Sequence, residues 1–104
     1  MRFPEALPEA ILVSARRHAP KLSVARIVVE PKVDSLGDDS LRVVLILRKR
    51  PADPVLFREQ LLRVIDETRG MLAAEGDLRF PYFEVTSEKD EKEKERELER
   101  LREG

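Results

Sequence analysis

The chain is 104 residues long, with 20 Lys and Arg against 21 Asp and Glu and a formal net charge of −1, so it has room for one small domain and no strong overall field to draw in a polyanion. At 41% hydrophobic and 39% charged, it has the apolar residues for a modest core, unlike chains that stay disordered. The absence of Cys removes disulfides, thiolate nucleophiles and iron–sulfur clusters, and a single histidine, His18, supports neither a His-built metal site nor a conventional catalytic triad.

Pro8 suits a first helical position with Glu9 beside it. Leu7, Ile11, Leu12, Ala15 and Ala19 then recur at helical spacing until Pro20 stops the run, which predicts a helix over 8–19. Residues 24–33 alternate, Ala25, Ile27 and Val29 facing one way and Arg26 and Glu30 the other, as in a half-buried strand whose far end is unpaired or bulged at Pro31. Turn formers fill 34–40, and 41–47 is the most strand-like stretch of the chain, so the two strands predict a hairpin with a longish loop. Asp53 and Pro54 supply an N-cap and first position for a second helix over 54–75. Its buried stripe is Phe57, Leu61, Val64, Ile65, Thr68 and Leu72, and Gly76 is its left-handed cap. Residues 80–86 read as a strand that Pro81, lacking a backbone donor, assigns to a sheet edge. The predicted fold class is α+β: a small two-layer domain over 1–87, of order α-β-β-α-β with a three-stranded sheet, without internal repeats.

Residues 88–104 differ from everything before them. Fourteen are charged, eight acidic and six basic, and Leu98 and Leu101 are the only apolar ones, leaving a net charge of +1 on residues 1–87. Opposite charges at helical spacing, such as Glu88 with Lys92 and Glu97 with Arg100, predict a charged, solvated helical or disordered tail with no apolar stripe to dock. No apolar run approaches the roughly 18 residues of a membrane span. Met1 to Glu5 lack the basic-then-apolar pattern of a leader, so no membrane and a cytoplasmic location are expected.

Little in this sequence carries chemistry. Asp34, Asp38 and Asp39, with Glu30 nearby, could gather oxygen ligands for Mg²⁺ or Ca²⁺, but the ligand spacing of an EF-hand is missing, and Asp between strands ordinarily stabilises turns. His18 ends the first helix, where it complements the carbonyl dipole. Arg16 with Arg17, and Arg48 with Lys49 and Arg50, could meet phosphates, with Phe80, Tyr82 and Phe83 to stack on bases. No catalytic residue, cofactor or metal site is expected.

The α-β-β-α-β outline, over about residues 8–86, resembles the KH-like fold of the ribosome-binding factor A family, and Ala74-Glu75-Gly76 resembles the Ala-x-Gly kink of that family. That resemblance implies an RNA-binding or ribosome-associated module. KH domains proper clamp RNA with a Gly-x-x-Gly loop, and no two glycines of this chain lie three apart. The outline is also similar to a stripped nucleotidyltransferase core, without that family's Gly-Ser turn and Asp-x-Asp strand, so no catalytic residue carries over.

The second strand puts Leu41, Val43, Leu45 and Leu47 on one face and Val44 and Ile46 on the other, with Val24 and Val28 offering similar side chains on the first strand. If both helices cover one face and the tail is too polar for the other, a patch of Val28, Val44 and Ile46 stays available to a partner. Phe80 and Tyr82 on the third strand would extend it by strand pairing. If the helices divide between the faces, those residues are internal. The expected function is a small non-enzymatic protein-interaction module, acting on a protein partner or as a homo-oligomer, such as an adaptor or antitoxin-like subunit of a bacterial operon. The alternatives are a nucleic-acid-binding KH-like module using Arg48, Lys49 and Arg50, and a metal-dependent enzyme at the acidic loop.

Overall fold

The computed structural model describes residues 6–103, so Met1 to Glu5 lie outside the described residues. Helix α1 spans Leu7–His18, a short 3-10 turn follows at Pro20–Leu22, and β1 (Val24–Val33) and β2 (Asp39–Leu47) form the hairpin. Helix α2 (Pro54–Ala74) crosses to β3 (Phe80–Ser87), and α3 (Glu88–Glu103) continues directly from it. The sheet order is β1-β2-β3, with β1 antiparallel and β3 parallel to β2. The parallel pair is what requires a helix as long as α2 for the return. This is the small α+β fold expected, with a mixed sheet. No helix among the described residues is long and apolar enough to cross a membrane.

Helix α2 starts and stops where its sequence dictates. The Asp53 carboxylate accepts from the Val55 and Leu56 amides at 2.9 and 3.3 Å. At the other end Gly76, at φ 70°, closes a Schellman motif: its amide donates to Ala73 O at 3.1 Å and that of Asp77 to Leu72 O at 2.9 Å. Ala74-Glu75-Gly76 therefore ends a helix before a strand and does not kink between two helices. Helix α3 is capped by Ser87, whose hydroxyl accepts from the Asp90 amide at 3.2 Å.

Both helices lie on one face of the sheet. Leu7, Ile11 and Ala15 of α1 and Val64 and Leu72 of α2 pack with Leu41, Val43, Leu45 and Leu47 into a single core. The division of helices between two faces does not occur. Val24 belongs to this core and not to the opposite face. It pairs with Leu47 while Arg26 pairs with Ile46, so a bulge at Ala25 turns the start of β1 inward. The α2 stripe also runs differently from the sequence reading: its most buried line is Gln60, Val64, Thr68 and Leu72, with Phe57, Leu61 and Ile65 half-buried beside it. Gln60 is tolerated there because its Oε1 accepts the Lys21 amide at 3.1 Å, tying α2 to the 3-10 turn.

Candidate functional site

The register brings Val28, Val44, Phe80, Tyr82 and Ile46 to the face of the sheet that the first two helices leave uncovered, since Val28 pairs with Val44, Ile46 with Thr86, and Tyr82 with Arg42. Val44 and Ile46 are not open surface, however, being only 7% and 3% exposed. Arg42 lies between its neighbours as a clamp, with Nε donating to Glu84 Oε1 at 3.0 Å, Nη2 to Glu84 Oε2 at 2.7 Å and Nη1 to Glu30 Oε2 at 3.3 Å. This spans all three strands, and the guanidinium hydrogen bonds hold the Glu84 carboxyl below its ordinary range. The charges of Lys32 and Lys94 act on the Glu84 carboxyl in the same direction, less strongly than Arg42. Thus of the patch expected from Val28, Val44 and Ile46, the last two are buried and Val28 is half-buried, while α3 is exposed from Lys92 to Arg102.

Strand pairing is blunted at both edges. On β3, Pro81 offers no amide and Arg50 Nη2 takes the Val85 carbonyl at 3.1 Å. On β1, Pro31 and the bulge interrupt the edge. An added strand would find few free groups in a row.

Apart from single exposed apolar residues on the helices, such as Val13, Val55 and Leu62, apolar side chains are exposed at the hairpin-turn end of the sheet. Val33, Leu36, Leu78, Phe80 and Tyr82 are all exposed there, Leu78 at 97% and Leu36 at 84%. The Phe80 and Tyr82 rings meet at 4.9 Å between centroids, tilted by 60°, with Lys32 Nζ 4.9 Å from the Tyr82 centroid and the Arg69 guanidinium 5.4 Å from that of Phe80. Two shallow clefts adjoin at this end, one joining Leu78 and Phe80 to Asp34, Asp38 and Asp39, the other joining Val33 and Asp39 to Arg79. The Asp77–Arg79 pair, 2.7 Å apart, stiffens the approach to β3 and holds the Asp77 carboxyl low.

The acidic loop is a turn. Asp34 Oδ1 accepts from the Leu36 and Asp38 amides, each at 2.9 Å, and no group of three or more acidic or His side chains among the described residues is placed to hold a metal ion. His18 ends α1, 3.9 Å from Glu67.

The basic residues gather at the opposite end. Arg48, Lys49 and Arg50 are all exposed, and the Arg48 amide donates to Ser23 O at 2.9 Å, which ties the end of β2 to the residue before β1, where Arg48 and Arg16 line one cleft. Arg50 is engaged, its Nε 3.4 Å from Asp90, and the Asp90 carboxyl is held low by the Ser87 hydroxyl and then by Arg50. The sequence reading missed the adjacency of Arg16 and Arg48, which are distant along the chain. No protein-family model, curated protein or solved structure matches the chain.

Proposed function

We propose that this chain is a small non-enzymatic interaction module that holds a protein partner at the hairpin-turn end of its sheet. The observation that carries this reading is the pair of touching rings Phe80 and Tyr82, exposed on the open face, with Leu78 beside Phe80 in one cleft and Leu36 and Val33 exposed at the same end of the sheet. Asp34, Asp38 and Asp39 rim the cluster and make no salt bridge among the described residues, so the complementary partner is a segment with apolar side chains flanked by Lys or Arg. Phe80 and Tyr82 are retained from the residues first expected to make the interface, whereas Val44 and Ile46 are buried and Val28 is half-buried. An adaptor or neutralising subunit of a cytoplasmic bacterial complex fits this role. Replacing Phe80 and Tyr82 together by Ser should abolish capture of the partner while leaving the circular dichroism spectrum intact. Unchanged binding by that double variant would remove the reading.

An RNA-binding module is a second reading, favoured by the meeting of Arg16 and Arg48 in one cleft. Replacing Arg48, Lys49 and Arg50 together should then weaken RNA binding and flatten its salt dependence, and a wild-type chain that fails to shift RNA at low salt would count against it.

A further inference from the structure

We infer that Arg16, Ser23 and Arg48 form a binding site for a phosphate group at the basic end of the sheet. Arg16 comes from the last turn of α1, Ser23 from the residue joining the 3-10 turn to β1, and Arg48 from the residue following β2. The three line one small cleft over Pro20. Their arrangement is fixed by the backbone, because the Ser23 carbonyl accepts the Arg48 amide at 2.9 Å while the Ser23 amide donates to Pro20 O at 3.2 Å.

Ser23 is the clue that this cleft is more than a crevice. Its backbone is left-handed, at φ 52° and ψ 52°, and it is the one non-glycine residue with positive φ among those described. Glycine would adopt this conformation without strain, whereas serine adopts it at a cost and keeps a hydroxyl in the cleft. That hydroxyl makes no hydrogen bond among the described residues. Arg16 and Arg48 likewise have no carboxylate partner among them, unlike Arg42, Arg50 and Arg79. Two arginines, each with a planar donor fork, and a serine lining one cleft suit a tetrahedral, multiply charged oxyanion better than a carboxylate, which offers only two oxygens. The helix end contributes carbonyls, not amides, so the affinity must come from the two guanidinium groups, and the loss of either should be decisive.

This inference is independent of the protein-partner reading. A free phosphate or phosphomonoester and the backbone phosphate of RNA present the same chemistry, and the latter source would deepen the second reading above. The test is a titration of the ¹⁵N-labelled full chain with inorganic phosphate against chloride at matched ionic strength, following the Ser23 and Arg48 amides and the arginine Nε–H signals. Saturating shifts in the millimolar range are expected with phosphate alone, weakened about tenfold or more by Arg16→Ala and by Arg48→Ala at unchanged circular dichroism. Ser23→Gly should bind severalfold more weakly while its melting temperature holds or rises, since the strain is relieved. In a parallel arm, a short single-stranded RNA that binds more tightly than phosphate, through the same residues and with a steep salt dependence, identifies the source as a nucleic-acid backbone. RNA no tighter than phosphate identifies a free phosphate or phosphomonoester. Shifts that do not saturate, that appear equally with chloride, or that survive in both arginine variants overturn the site, as does a Ser23→Gly chain that is stabilised and binds phosphate as well as wild type.

Discussion

Truncating Ile46 to Ala separates what the open face of the sheet does for folding from what it offers a partner. Ile46 is 3% exposed although it lies outside the main core, so the truncation removes buried methyl and methylene groups and leaves a cavity between its neighbours Arg26 and Thr86. Truncations of this kind cost about 2–5 kcal/mol, and a site near the sheet surface, free to relax, belongs toward the low end, about 2–3 kcal/mol. For a domain of this size each kcal/mol lowers the melting temperature by roughly 4–8 °C, so a fall of about 10–20 °C is expected. Phe80→Ala, at a ring already 49% exposed, should cost about 1 kcal/mol. Urea and thermal unfolding followed by circular dichroism measure both. A cost below about 1 kcal/mol for Ile46→Ala, or one no larger than that of Phe80→Ala, would refute the assignment of Ile46 to the folded interior. Ile46→Asp should leave the chain unfolded, because a carboxylate would enter the interior without a partner.

Gln60→Ala should destabilise by about 1–3 kcal/mol, since it strips the Lys21 amide of its acceptor and empties a buried position, as chemical denaturation would show. Asp53→Ala should cost about 1 kcal/mol through loss of the α2 cap, and Gly76→Ala about 1–2 kcal/mol through the left-handed φ, both measurable as shifts in the urea midpoint. Glu84, Asp77 and Asp90 all have folded-state carboxyl pKa values lowered, so the folded chain binds fewer protons than the unfolded one as the solution is acidified. Their contribution is complete above the unfolded carboxyl range near pH 4 and is lost as pH falls through the lower folded values. The melting temperature should therefore drop between neutral pH and about pH 3, less steeply for an Asp77→Asn chain, and a flat profile would contradict the ion-pair assignments.

The elements were legible because their signals are local. The alternation in β1, the Asp53-Pro54 start and the Gly76 stop of α2, and the helical charge spacing of α3 each lie within a few residues. Register is not local. The Ala25 bulge sets two residues of β1 against one of β2, and simple alternation therefore assigned Val24 to the wrong face. Gln60 stands four residues before Val64, in line with Thr68 and Leu72, a spacing that could have marked it as buried. Its polarity concealed that, and only the distant Lys21 amide makes it acceptable. The Arg42 bridge from Glu30 on one side to Glu84 on the other was likewise hidden, because pairs between strands carry no signature in a single sequence. For the same reason Phe80 and Tyr82 are legible as candidate contacts, whereas the place of Leu78 beside Phe80, in a cleft shared with Asp34, Asp38 and Asp39, depends on the hairpin turn and the start of β3 meeting at one end of the sheet.

The interaction reading is tested most directly by selecting a displayed random-peptide library on the immobilised full chain and mapping the enriched peptides by amide chemical-shift changes. Peptides pairing apolar side chains with Lys or Arg should emerge. They should shift residues 33–39 and 78–82 and fail to bind the Phe80→Ser, Tyr82→Ser double variant. No enrichment, acidic consensus peptides, or shifts confined to other surfaces would contradict a partner site at the hairpin-turn end of the sheet.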